Sequence, residues 1–243
     1  RVVVMIAMEA EAAPFIKSLG LTKAEGLLPH PSPAEVFTGE AHGMAVHVVC
    51  NGKCHTTGMD NVGTVGAALS VYAVGSHLQP DLIINAGTAG GFQEKGGAIG
   101  DVYVCSRFVN HDRRIAIPGF DKYGTGETVS PVDPAKIAGA LGFKVGSVTT
   151  GNSLDWVERD MEIMKEHDVH VKDMEGAAIA WAARFFSIPV VAVKAVTDIV
   201  DGDRPTHEEF LENLHSAAES LQEAVPRVLG FVAGKDVKEI TIE

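Results

Sequence analysis

Three carboxylates stand where predicted strands of this 243-residue chain end or where a predicted helix begins. Glu11 follows the apolar run VVVMIAM, Glu175 opens a helical stretch in KDMEGA, and Asp198 follows the strand PVVAVKAV. Carboxylates accept hydrogen bonds and exchange protons, whereas a phosphate-binding turn offers bare backbone N–H groups. These residue types therefore indicate general acid–base chemistry on a neutral substrate.

Two of these carboxylates also have a plain structural explanation. An acid at a helix N-terminus interacts favourably with the helix dipole, by about 0.3–1 kcal/mol, and this predicts that Glu175 stays charged. For Glu175 the dipole is the simpler explanation. An acid after a strand, such as Asp198, can cap the following turn. The residue types alone leave both explanations open, and Glu9 is expected to be a solvated turn residue.

Other motifs with possible chemistry are less specific. GTAGG, residues 87–91, is either a tight turn or a backbone that approaches a flat ligand, because its spacing fits neither G-x-G-x-x-G nor a P-loop. Cys50 and Cys54 lack the second pair that a zinc site needs. The segment Asp201-Gly202-Asp203 lacks the spacing and the closing Glu of a calcium loop. No metal or cofactor is therefore expected.

The elements that position these residues follow from hydrophobic patterning, which alternates strands with helices. Strands are predicted at 2–7, 35–38, 45–49, 81–85, 101–109, 144–149 and 189–196, with a loop at 110–128. Helices are predicted at 11–19, 62–74, 159–167, 176–186 and 208–232, the last interrupted near Pro226. This order predicts one domain, residues 1–243, with a largely parallel sheet. Its site should lie beyond the strand ends, at 8–11, 87–92 and 197–203.

Composition restricts the partners of the chain. It has 20 Lys plus Arg against 32 Asp plus Glu, a formal net charge of −12, which argues against nucleic acid or an anionic membrane. Its 3 cysteines fit a reducing compartment, so a cytoplasmic location is expected. Arginine is missing from residues 2–106, and hardly any fixed cation is expected at the site.

Five motifs, taken together and in order, resemble those of the 5′-methylthioadenosine nucleosidases, in the purine nucleoside phosphorylase and uridine phosphorylase superfamily. They are IAMEAEA, IINAGTAGGF, TGNSLD, KDMEGAA and KAVTDIVDGD, and they extend from the first strand to residue 203. The segments HDRRIAIPGFDKYG and VDGDRPT look most like the plant-type branch. The resemblance implies a single-domain three-layer α/β/α sandwich around a mixed, largely parallel sheet, usually assembled as a homodimer.

The resemblance also implies an activity, which is hydrolysis of the N-glycosidic bond of 5′-methylthioadenosine to adenine and 5-methylthioribose, as in methionine salvage. Asp198 matches the acid that protonates adenine at N7, Glu11 the acid that activates water, and Glu175 the ligand of the ribose diol. The other matched positions are Met174 on the sugar, Thr88 and Ala89 near the ribose and water, Leu154 and Asp155 along the purine edge, Thr197 next to Asp198, Phe210 at the alkylthio group, and Pro118 on a loop reaching the partner subunit's site. Leu154 stands where bacterial relatives often have Phe, which leaves cleavage of S-adenosylhomocysteine open.

Two other functions fit the same fold. A nucleoside phosphorylase would need arginines that hold phosphate by two hydrogen bonds, and the turns MEAEA and NAGTAGG contain none. Adenine release is therefore predicted to need no phosphate. A non-catalytic nucleoside-binding or storage relative would be expected to lose its catalytic acids, whereas Glu11, Glu175 and Asp198 are all present.

Overall fold

Strands and helices alternate through residues 1–242, which the structure, a computed structural model, describes. The strands are β1 (Val2–Ile6), β2 (Thr22–Ala24), β3 (Glu35–Ala41), β4 (Met44–Cys50), β5 (Leu82–Gly91), β6 (Val102–Asn110), β7 (Thr128–Val129), β8 (Lys144–Thr150), β9 (Val171–Asp173) and β10 (Val190–Ile199). The helices are α1 (Glu9–Ser18), α2 (Thr64–His77), α3 (Phe120–Thr125), α4 (Pro134–Leu141), α5 (Glu158–Glu166), α6 (Gly176–Ala183) and α7 (Thr206–Val232).

One mixed sheet joins the ten strands. Parallel pairing places β1 between β4 and β5, and antiparallel β3 and β2 extend the β4 edge. At the other end β10 pairs with both β5 and β6, while β6, β8, β9 and β5 pair in succession. This part of the sheet therefore closes on itself and brings the ends of β5, β9 and β10 together.

Helices cover both faces of the sheet. Side chains alternate along β1, so Val2, Val4 and Ile6 pack with α1, α4 and α7 on one face, while Val3 and Met5 pack with α2 and α6 on the other. Burial on both faces explains why β1 is an unbroken apolar run rather than an alternating one. The predicted α/β/α fold class around a mixed sheet is confirmed.

Besides shifts of a few residues at other element ends, three predictions differ from the structure. GTAGG is not a turn after β5 but its last five residues, because β9 and β10 pair with it on both sides and outweigh the low strand propensity of glycine. Strand β10 likewise continues through Thr197 and Asp198. Helix α7 runs through Pro226 without interruption.

Five short elements were not predicted: β2, β7, β9, α4, and α3, which lies inside the predicted loop. The strands among them have two or three residues, too few for a hydrophobic period. Within residues 1–242, no helix combines the length and the apolar character that crossing a membrane requires.

Candidate active site

A cavity opens where β5, β9 and β10 converge with the start of α1. Most of the site residues expected from the sequence line it: Glu11, Thr88, Ala89, Leu154, Met174, Glu175, Thr197, Asp198 and Phe210. Asp155 lines a neighbouring cavity that shares Leu154. Pro118 is exposed on the loop after β6 and lies outside the cavity of its own chain.

Glu11 is directed into the cavity by the first turn of α1. Its Oε1 accepts hydrogen bonds from the backbone N–H (2.8 Å) and the hydroxyl (2.6 Å) of Thr88, and the residue is 3% exposed. Glu9 lies two residues earlier, about 200° away around the helix. It is exposed to solvent and pairs with Lys53 at 2.8 Å. The same helical turn therefore presents one carboxylate to the cavity and one to water.

Glu175 precedes α6 but does not cap it. The N–H of Gly176 donates to Asp173 Oδ2 (2.9 Å) and that of Ala177 to Thr150 Oγ1 (2.8 Å), whereas Glu175 Oε1 accepts from the N–H of Gly63 (2.7 Å). Burial, and to a lesser extent the nearby Asp173 carboxylate, raise the pKa of Glu175 to about 7. The helix dipole therefore does not hold the pKa of Glu175 at or below the ordinary value of a glutamate, and the residue is only partly charged near neutral pH.

Asp198 is held by a bulge near the end of β10. The register of β10 on β5 shifts between Val196 and Asp198, so Thr197 is the extra residue. The Thr197 hydroxyl donates to Asp198 Oδ1 at 2.7 Å. Asp198 is 3% exposed, and burial raises its pKa although the Thr197 hydroxyl and the Lys172 charge oppose this effect. Asp198 therefore keeps its proton to a higher pH than an exposed aspartate.

Gly90 makes room for the Asp198 carboxyl group. A Cβ on Gly90 would lie 2.6 Å from Asp198 Oδ2 and 2.6 Å from Val200 Cγ2, closer than real contacts. We expect Gly90→Ala to displace Asp198 and lower kcat by at least about tenfold, because a misplaced proton donor loses its alignment with the substrate. Steady-state kinetics measure the effect.

Gly139→Ala is the matched control for this substitution. Gly139 lies in α4 and a Cβ there would meet no atom within 4 Å, so its activity should equal that of the wild type. Wild-type kcat in a folded Gly90→Ala variant would contradict the tight fit between Gly90 and Asp198.

Two buried lysines correct the expectation that the site lacks fixed cations. Lys194 in β10 is 1% exposed and forms an ion pair with Asp173 at 2.8 Å. Burial alone would lower the pKa of Lys194, but the carboxylates of Asp173, Glu175 and Glu11 outweigh it and raise the pKa. Lys172 in β9 is 5% exposed and lines the cavity. Lys194 lies within the valine-rich segment VVAVKAV, and a lysine in a buried strand needs a buried partner. A buried ion pair could therefore have been predicted from the sequence.

The arrangement combines three chemical capabilities. Asp198 is a buried carboxyl group whose raised pKa lets it hold a proton that it can donate. Glu11 is a carboxylate whose hydrogen bonds, among the residues described, involve only Oε1, and Glu175 can accept two adjacent hydroxyl protons when ionised. Among residues 1–242, no group of three or more His, Cys, Asp or Glu side chains is arranged to hold a metal ion. The residues present are those of acid–base catalysis.

Comparison with known proteins adds independent information. A family model described as the phosphorylase superfamily matches residues 1–230. The chain is 45% identical over 243 residues to a 5′-methylthioadenosine/S-adenosylhomocysteine nucleosidase of Arabidopsis thaliana, covering 98% of this chain and 94% of that protein. It superposes on the apo 5′-methylthioadenosine nucleosidase of Arabidopsis thaliana with a TM-score of 0.94, 44% identity and 98% coverage of both chains. It also superposes on the adenine complex of a Colwellia psychrerythraea nucleosidase, with a TM-score of 0.79, 27% identity and 96% coverage of both.

Proposed function

The chain belongs to the phosphorylase superfamily and is an N-glycosidic hydrolase of its methylthioadenosine nucleosidase group, and from this premise we propose that it cleaves 5′-methylthioadenosine to adenine and 5-methylthioribose. The observation that carries the proposal is the convergence of Glu11, Glu175 and Asp198 on one cavity. The reaction would serve methionine salvage in the cytoplasm.

Asp198 is the proposed general acid. Adenine is a poor leaving group as an anion, and a proton at N7 makes it a neutral one. Because burial raises the pKa of Asp198, the carboxyl group can hold this proton until the glycosidic bond breaks. The purine then takes the bonding electron pair, and the ribosyl carbon becomes oxocarbenium-like, as in glycoside hydrolysis.

Glu11 is the proposed base for the attacking water. The two hydrogen bonds from Thr88 fix Oε1, so Oε2 is available to accept a proton from water. An ideal Cβ on Gly87 would lie only 3.7 Å from this Oε2 and 3.5 Å from Lys194 Nζ, so the carboxylate and the buried ammonium flank the same glycine of β5.

Glu175 is the proposed ligand of the ribose 2′- and 3′-hydroxyl groups, and this role makes binding pH-dependent. Only the carboxylate accepts two hydroxyl protons, and the pKa of Glu175 is raised by burial to about 7. We therefore expect kcat/KM to fall as the pH falls through about 7, because the free enzyme loses the carboxylate form. Glu175→Gln should lower kcat/KM, raise KM and remove this acidic limb, as pH–rate profiles measure.

Glu158→Gln provides the control for this pH profile. Glu158 is another acid at the start of a helix, α5, but it is exposed and lies outside the cavity. Its substitution should leave the profile unchanged. An acidic limb that persists in Glu175→Gln would assign the titration to another group.

A nucleoside phosphorylase is less well supported by the same cavity. None of the cavity-lining side chains among residues 1–242 is an arginine. Lys194 is paired with Asp173, and Lys172 donates to backbone carbonyls, so neither is placed free for phosphate. The Glu11 carboxylate would also repel an anion bound beneath the ribose.

We also propose that the chain forms a homodimer in which the Pro118 loop approaches the partner's cavity. Val65, Leu69 and Tyr72 are exposed along one stripe of α2, and Ile117 is exposed beside Pro118. Val62, half exposed, belongs to the cavity wall as well, so the apolar surface continues into the site. A sedimentation experiment that finds only monomer at micromolar concentration would refute this assembly.

The substrate range is tested with a panel of four nucleosides: 5′-methylthioadenosine, S-adenosylhomocysteine, adenosine and inosine. We expect adenine release to be fastest from 5′-methylthioadenosine, and the assay measures directly whether S-adenosylhomocysteine is cleaved as well. Tight binding of these compounds without any turnover would instead support the non-catalytic binding protein.

A further inference from the structure

Lys172 is a buried cation that has no part in the mechanism above. Its Nζ donates to the carbonyl oxygens of Ser153 (2.8 Å) and Leu154 (2.9 Å). Both acceptors are neutral, and among the residues described Lys172 forms no ion pair, unlike Lys194 with its Asp173 partner. Burying an ammonium group without an opposite charge in contact costs free energy of desolvation. An acidic group close to Lys172 would offset part of this cost.

The sheet register directs Asp198 toward Lys172. Gly90 pairs with Lys172 of β9 on one side and with Asp198 of β10 on the other. Because Gly90 has no side chain, the Asp198 carboxyl group occupies the space above it, 2.6 Å from where a Cβ would stand. The two charged side chains therefore flank the same glycine and line the same cavity.

The other charged groups around Asp198 and Lys172 do not supply the positive charge that Lys172 brings to Asp198. Facing Asp198, the Glu209 carboxylate of α7 accepts the N–H of Ile199 at 2.9 Å and adds negative charge, while Lys172 supplies the positive charge. The pKa of Lys172 is lowered by burial, against the opposing influence of its acidic neighbours Asp198, Asp173, Asp155 and Asp160. The other buried lysine, Lys194, is paired with Asp173.

We propose that Lys172 is a positioning residue for the proposed hydrolysis, on which this inference rests. Its ammonium fixes the carbonyls of Ser153 and Leu154 along the cavity wall where the purine edge would lie. Its charge also stabilises the carboxylate that remains on Asp198 after the proton has moved from the Asp198 carboxyl to purine N7. Without that charge Asp198 is a weaker acid, and the proton transfer is slower.

The most direct test is a ¹³C NMR titration of the Asp198 carboxyl group, assigned by its absence from Asp198→Asn. We expect Lys172→Met to raise the pKa of Asp198 above the wild-type value, and Lys172→Arg, which keeps the charge, to restore it. An Asp198 pKa that is the same in Lys172→Met and the wild type would overturn the proposal. This titration measures the pKa of Asp198 and does not depend on turnover. If the proposed function is wrong, the wild type will instead release no adenine, so the two failures can be told apart.

Kinetics distinguish this role from a purely structural one. In Lys172→Met we expect kcat to fall by about tenfold or more, KM to rise, and the basic limb of kcat/KM to move to higher pH, with rescue by Lys172→Arg. A loss of activity without movement of this limb would leave only a structural role and would overturn the electrostatic part. If Lys172→Met does not fold, Lys172→Gln, which is neutral but keeps N–H donors, replaces it in both measurements.

Discussion

Asp198→Asn is expected to abolish turnover while the fold survives. An amide cannot deliver the proton that the proposed mechanism places on purine N7, and loss of a general acid typically costs about 10²–10⁴-fold in rate. The side chains are nearly equal in size, and the hydroxyl of Thr197, which donates to Asp198 Oδ1 at 2.7 Å, can still donate to the amide oxygen. We therefore expect kcat to fall by about 10³-fold or more, with an unchanged circular dichroism spectrum.

Asp203→Asn is the matched control. Asp203 follows the same strand five residues later but is exposed and lines no part of the cavity. Its kcat should stay within about twofold of the wild type, as for ordinary surface substitutions. Retained activity in Asp198→Asn would mean that the proton comes from another group.

Glu11→Gln is expected to have the second large effect. The amide can keep the contact with Thr88 through its oxygen but cannot accept the proton of the attacking water. We expect kcat/KM to fall by about 10²–10⁴-fold, as for removal of a general base. Adenine binding, measured by calorimetry, should change little because the role proposed for Glu11 is to act on water rather than on the purine.

Glu9→Gln tests this assignment within the same helical turn. Glu9 is directed to solvent and pairs with Lys53 at 2.8 Å, an exposed ion pair of little energetic value. Its substitution should leave kcat/KM unchanged. Equal losses in Glu9→Gln and Glu11→Gln would show that the negative charge of α1 matters, rather than the placement of one carboxylate.

The layers of the fold could be predicted from the sequence because burial on both faces of a central strand leaves a continuous apolar run, as in β1. The closure of the sheet could not be predicted. It depends on β9, whose three residues have no period of their own and are fixed by pairing with β5 and β8. The extension of β5 through GTAGG has the same origin, since the partner strands decide its conformation.

The electrostatics of the site were less accessible to sequence reasoning than its residue types. The element ends indicated the three carboxylates and resemblance supplied their roles, but the raised pKa of Glu175 arises mainly from burial, which only the folded structure shows. The caps of α6 come from Asp173 and Thr150, and the latter is distant in sequence. Lys194 could have been recognised, because a charge inside a valine-rich strand requires a buried partner.

The central claim is that water, rather than phosphate, attacks the ribosyl carbon in the cavity of Glu11, Glu175 and Asp198. The direct measurement is adenine release from 5′-methylthioadenosine in phosphate-free buffer, with mass spectrometry of the sugar product, repeated after phosphate is added. We predict full activity without phosphate, no increase on its addition, and free 5-methylthioribose as the product. Adenine release that requires phosphate and yields the sugar 1-phosphate would contradict the account.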